Sequence, residues 1–135
     1  MIGKSCTALV VLASVAACSH APGEAPHAVR SPDAPALVIQ GSALTGDLLE
    51  ALRHRVQNMT VTYPATGCPR IAFRGRTGGS PGIYVDGTRV GDACVLMQMS
   101  SSDVDRVEIY RSGIPTRAGI QSNPNGLILV YRIRR

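Results

Sequence analysis

The side chains able to do chemistry are few, and their spacing limits what they can do. Cys6, Cys18, Cys68 and Cys94, with His20, His27 and His54, are the candidate nucleophiles and soft metal ligands. No two cysteines form a Cys-x-x-Cys redox pair. A zinc site would need more ligands than Cys68, Cys94 and His54 offer. His20 and His27 lie seven apart in a Pro-rich stretch and read as solvated linker residues. Asp103, Asp105 and Glu108 form the single carboxylate cluster. General acid/base work needs two such groups converging on a cleft beside a nucleophile, a metal or an oxyanion donor, and the neighbouring sequence supplies none. Capping, and ion pairing to Arg106 or Arg111, is therefore expected of them. The run Gly75-Arg76-Thr77-Gly78-Gly79-Ser80 lacks the Lys of a phosphate loop and leads into a strand, so it reads as a surface loop. No catalytic residue, metal ligand or cofactor site is assigned, and the chain reads as non-catalytic.

Composition agrees. The chain has 135 residues, with 14 Lys+Arg against 9 Asp+Glu, 4% aromatic residues and no Trp. That length allows one small domain and excludes a multidomain enzyme. All the cations but Lys4 are Arg. Tyr63, Tyr84, Tyr110 and Tyr131 all fall in predicted strands, which suits half-burial and leaves no stacking platform for nucleic-acid bases. Nucleic acid is not an expected partner.

The elements that must position these residues follow from periodicity. Ala36 to Ile39 is a short apolar run read as a first strand. Thr45 is placed to cap a helix from Gly46 to Gln57, with Leu48, Leu49, Leu52 and Val56 on one face and His54 off it. Met59, Val61 and Tyr63 alternate with Thr60 and Thr62 as a half-buried strand, and Arg70 to Arg74 forms a second. Ile83 to Val85 and Thr88 to Val90 flank Asp86-Gly87, whose tolerance of positive φ suits a two-residue hairpin turn. Asp86 is therefore a turn residue first. Ser100 to Asp103 caps a brief helix or turn. In the strand Val107 to Arg111, Val107 and Ile109 face one way, Glu108 and Tyr110 the other. Gly126 to Ile133 is apolar on both faces, as in a central strand covered on both sides.

The N-terminus reads as an address. Ala8 to Ala17 is an unbroken run of small and aliphatic residues, with Lys4 before it and polar residues after Cys18. At roughly half the about 20 apolar residues of a membrane span, it has signal-peptide organisation. Val15-Ala16-Ala17-Cys18 resembles a bacterial lipobox, in which Cys18 receives a diacylglycerol and becomes the first residue of the mature protein. Ser19 after it points to the outer membrane in the sorting logic of lipoproteins. Residues 1–17 are thus read as a lipoprotein signal peptide, 18–35 as a Pro-rich tether and 36–135 as the domain. At ~3.1 Å per residue the tether would reach up to about 50 Å. Removing residues 1–17 leaves 13 cations against 9 anions, a balance suited to anionic lipid. With Cys6 removed and Cys18 acylated, Cys68 and Cys94 are left, and in an oxidising periplasm they are expected to pair.

Five segments, in order, resemble a known family. They are the helix Asp47-Leu48-Leu49-Glu50-Ala51-Leu52; Arg74-Gly75 closing a strand; the Ile83-Tyr84-Val85-Asp86-Gly87 hairpin; Asp103 to Ile109 followed by Arg111 and Gly113; and the final Asn125-Gly126-Leu127-Ile128-Leu129-Val130 strand. Together they resemble the plug domain of TonB-dependent outer-membrane receptors, over roughly Leu37 to Arg134. The resemblance implies an α+β fold, a small mixed β-sheet with one or two helices. In the family this unit fills a 22-stranded barrel and gates nutrient uptake. No sequence follows Arg135 to make a barrel, no TonB-contacting box is recognisable in the tether, and a lipid anchor stands in place of a fused pore, so the chain is not expected to transport by itself; Ser112 is inserted before Gly113 in the second Arg-Gly motif. In the family, arginines of the strand-closing Arg-Gly motifs contact glutamates of the barrel wall; Arg74 and Arg111 stand at those positions. The leading expectation is an outer-membrane-anchored lipoprotein on the periplasmic face, docking to a barrel or other envelope protein through Arg74 and Arg111. The alternative for these arginines is internal pairing with Asp105 or Glu108. The alternative for the whole domain is a module that binds a small ligand or metal complex through the loops Gly75–Ser80 and Gly113–Asn125.

Overall fold

The computed structural model describes residues 34–76, 78–111 and 118–134. The readings of the signal peptide, of Cys18, of most of the tether and of Gly113 lie outside these residues.

Strands β1 (Leu37–Gln40), β2 (Met59–Thr62), β3 (Arg70–Phe73), β4 (Gly82–Val85), β5 (Thr88–Val90), β6 (Val104–Tyr110) and β7 (Leu127–Arg132) accompany helices α1 (Leu48–Arg55) and α2 (Cys94–Gln98). They form a five-stranded sheet in the order β1-β6-β7-β4-β5 and a separate two-stranded sheet of β2 and β3. The β4–β7 pair is parallel and the others are antiparallel. The architecture is the small mixed-sheet α+β fold that the sequence predicts.

Alternation along the strands builds two apolar layers. Ile39, Val107, Ile109, Ile83, Ile128 and Val130 face Leu48, Leu49, Leu52 and Val56 of α1 and Leu96 of α2 in the main core. Tyr84, Tyr110, Leu127 and Leu129 face the other way, under Ile120. β7 is therefore covered on both sides, which is why its sequence is continuously apolar. The sheet β2–β3 closes the main core with Met59, Ile71 and Phe73.

Local chemistry moves several boundaries. The helix is capped by Asp47, not Thr45: its Oδ1 accepts the Glu50 N–H at 2.9 Å. Gly46, at φ +81°, turns the chain just before it, so α1 is shorter than Gly46 to Gln57. Tyr63 lies past the end of β2 and is 53% exposed, so three of the four tyrosines, not four, sit in strands. β6 starts three residues earlier than expected, with an irregular register between Val104 and Arg106. The hairpin turn is as read, with Asp86 at φ 50° and Gly87 at φ 85°. Gly126 combines φ +99° with a close approach: a Cβ there would lie 2.8 Å from the Phe73 ring. Cys68 and Cys94 form a disulfide, which ties the β2–β3 connection to the start of α2.

Candidate functional site

Three elements end at one corner of the domain: β3 at Phe73, β6 at Tyr110, and α1 followed by Gln57 and Asn58. The corner gathers arginines. The Arg111 Nη2 donates to the Gln57 carbonyl at 3.0 Å, and the Arg76 Nη2 donates to the Arg111 carbonyl at 2.5 Å. The Arg74 backbone N–H donates to the Asn58 carbonyl at 2.8 Å. Gly75, at φ +85°, turns the chain between Arg74 and Arg76. Among the described residues no carboxylate lies within ion-pair distance of Arg74, Arg76 or Arg111. The Arg111 Nε is buried and, among the described residues, has no hydrogen-bond partner. That one unused buried donor carries a desolvation cost, while the rest of Arg111 is half-buried and Arg74 and Arg76 are exposed. The structure thus brings Arg74 and Arg111 together and adds Arg76, which the sequence places only in a surface loop. Its signal was the doubled Arg-Gly-Arg.

The internal pairing considered for Arg111 is not formed, because Arg106 takes both acids. Arg106 Nη1 lies 3.1 Å from the Asp105 Oδ2, and its Nε lies 3.1 Å from the Glu108 Oε1. Glu108 is 4% exposed and also accepts from the Tyr110 hydroxyl at 3.1 Å and the Tyr131 hydroxyl at 3.5 Å. The Arg106 guanidinium lies over the Tyr131 ring, 4.1 Å from its centroid. Bonding to the Glu108 carboxylate holds the Arg106 proton more tightly than usual, raising its pKa. Glu108 is thus a buried carboxylate engaged on all sides, which suits packing of the second face and leaves no base aimed at a substrate.

The remaining candidates are also engaged locally. Asp86 accepts from the Arg132 backbone N–H at 2.9 Å and from its Nε at 2.6 Å, and these bonds hold its carboxyl below the usual range. A broad concavity of about 1340 Å³ lies there, its acids including Asp86, Asp103 and Asp105. His54 is exposed on α1, with its Nε2 3.2 Å from Glu50. Donor atoms of Cys68, Asp92 and Cys94 lie within 4.8 Å of one another. Both sulfurs are bonded to each other, however, so the set holds no thiolate to bind a metal. The Gly-rich loop and the chain before β7 meet where the Asn123 Nδ2 donates to the Ser80 carbonyl at 3.3 Å.

The helix, the Arg-Gly turn, the hairpin and the β6 segment fall within the span of a family model that ends at the first residue of β7. The model of the TonB-dependent Receptor Plug Domain covers residues 24–127. The chain belongs to this plug domain family. Plug domains are parts of transport-related receptors of the outer membrane, not of enzymes. Two solved structures share the plug fold. One is the RagAB peptide importer in its closed-closed state, with a TM-score of 0.55, 16% identity, and coverage of 72% of this chain and 12% of that chain. Another is the RagAB peptide transporter, with a TM-score of 0.50, 18% identity and the same coverage. At these identities the likeness is one of fold, and this plug spans about an eighth of the length of those chains. No curated protein matches the sequence.

Proposed function

We propose that this plug domain is the protein-interaction module of a non-catalytic, outer-membrane-anchored lipoprotein, docked to a β-barrel or another envelope protein in the service of nutrient uptake. The observation that carries the reading is the Arg74, Arg76 and Arg111 corner, where, among the described residues, three arginines gather with no carboxylate within ion-pair distance. Acidic side chains on a partner would pair with the exposed Arg74 and Arg76 and with the accessible part of the half-buried Arg111, and Arg–carboxylate pairs add geometric specificity through bidentate bonding. Anchoring rests on the lipobox-like Val15-Ala16-Ala17-Cys18, with acylation at Cys18 and the tether of residues 18–35 supplying the reach. Lys4 and the removed leader play no part in the docking face.

The test is cross-linking in outer membranes of the native host, comparing the wild type with the Arg74→Ala/Arg111→Ala variant. An acidic-surfaced partner captured by the wild type and lost in the variant is the expected result. Equal capture by both proteins overturns the docking face. Intact mass of the membrane-extracted protein tests the anchor separately: a chain beginning at acylated Cys18 is expected, and an unmodified N-terminus overturns it.

A further inference from the structure

A second cavity, of about 550 Å³, lies away from the arginine corner, where the β2–β3 sheet meets the first residue of β4 and the end of β5. Its floor is apolar: Ile71 and Ile83, at 2% and 5% exposure, line it with Pro69 and Pro81. Its rim carries two cations, Arg70 at the start of β3 and Arg89 in β5. Among the described residues neither guanidinium has a carboxylate within ion-pair distance. Arg89 donates from Nη1 to the Gln121 Oε1 at 3.3 Å, a neutral acceptor that leaves its charge uncompensated. Asp92 is the carboxylate that lines the cavity, and its Oδ1 is engaged by the Cys94 backbone N–H at 2.9 Å. Two cations thus face one locally committed acid across a pocket whose volume is in the range of small-molecule sites.

We propose that this cavity binds a small amphipathic carboxylate, its anionic head between Arg70 and Arg89 and its apolar body over Ile71 and Ile83. Neither arginine belongs to the docking corner, so the site is independent of partner capture. The recognition follows from the two layers: guanidinium groups pair with carboxylate in fork geometry, and the apolar floor gains by covering apolar ligand surface in proportion to its area. A bare inorganic anion would use the rim and leave the floor wet. The carboxylate could belong to a free small acid or to the C-terminus of a short peptide; the shared chemistry is a terminal carboxylate next to an apolar side chain. The disulfide makes one wall, because Cys68 lines the cavity and is held to Cys94 on α2.

The test is calorimetric titration of the purified, oxidised full chain with four probes: N-acetyl-leucine, N-acetyl-leucinamide, an N-acetylated tetrapeptide ending in leucine, and inorganic phosphate. N-acetyl-leucine is expected to bind, with at least a tenfold loss on removing its charge in the leucinamide and at least a tenfold loss in Arg70→Ala and in Arg89→Ala. Both arginines are exposed, so these variants are expected to keep the wild-type melting temperature. Tighter binding of the tetrapeptide assigns the site to peptide termini, and tighter binding of the small acid to free acids; either result upholds the carboxylate site. The proposal fails if leucinamide binds as well as the acid, if phosphate binds as tightly as N-acetyl-leucine, if the arginine variants bind unchanged, or if neither carboxylate binds at millimolar concentration.

Discussion

Asp86 shows how one side chain can be read correctly in kind and incompletely in role. Asp-Gly between two short apolar runs announces a hairpin turn through its tolerance of positive φ. Nothing local announces that the same carboxylate receives Arg132, 46 positions away, through both a backbone N–H and the guanidinium. Those bonds lower its pKa, so its contribution to stability is fully present above the unfolded value, near about 3.9, and is lost as pH falls through the lower folded value. Asp86→Asn keeps the turn and removes the charge. With the group partly exposed, the loss at pH 7 should be modest, about 1 kcal/mol or less. Urea midpoints for the two proteins should differ equally at pH 7 and pH 5 and converge toward pH 2; a gap that persists at low pH would assign the effect to the turn instead. Gly126 is the opposite case. Its φ of +99° and the nearness of the Phe73 ring leave no room for a methyl group, so Gly126→Ala should cost roughly 1–3 kcal/mol in a thermal melt. An unchanged melting temperature would mean that Phe73 gives way freely.

Elements with a strong internal pattern were legible, and those defined by distant partners were not. β7 was readable because both of its faces are buried, and the β4–β5 hairpin because its turn chemistry is local. The start of α1 was misplaced because Thr45 and Asp47 both qualify as caps, and the choice falls to Asp47 once Gly46 takes a positive φ. The pairing of β1 with β6, and the parallel pairing of β4 with β7, join segments far apart in sequence, and no local periodicity encodes them. The disulfide was legible by counting cysteines, and the structure gives it an element to hold. It secures the β2–β3 connection to α2, and on the chain-entropy account a loop of this size is worth about 3.5 kcal/mol. Paired Cys68→Ala and Cys94→Ala substitutions should lower the urea midpoint accordingly, and dithiothreitol should move the wild type to the same value while leaving the variant unmoved. A wild type insensitive to the reductant would show that the bond carries no such weight. Leu52, fully buried at the centre of α1, gives a calibration: Leu52→Ala should cost about 2–5 kcal/mol.

At the scale of the whole molecule, charge is distributed by end. Asp86 in the β4–β5 turn and Asp105 and Glu108 of β6 are spent on Arg132 and Arg106, whereas among the described residues the corner at Arg74, Arg76 and Arg111 keeps its cations. The positions of Arg74 and Arg111 came from the order of family motifs; Arg76 and the Gln57 carbonyl joined them only through folding, because their meeting depends on where β3, β6 and α1 end. β1 also begins at this end, with the Ala36 N–H donating to the Ile109 carbonyl, so β1 starts close to this corner. If that corner docks on acidic side chains, exposed arginines should steer association over distances that salt controls, since the Debye length falls from about 30 Å at 0.01 M to about 3 Å at 1 M. The dissociation constant for the barrel or envelope protein identified by cross-linking should therefore rise about tenfold or more between 50 and 500 mM NaCl. In Arg74→Ala/Arg111→Ala the binding should be weaker at low salt and its salt dependence shallower, so the two curves approach each other as salt increases. Parallel curves would show that these arginines hold the fold together rather than meet a partner, and that the charge governing association lies elsewhere on the domain.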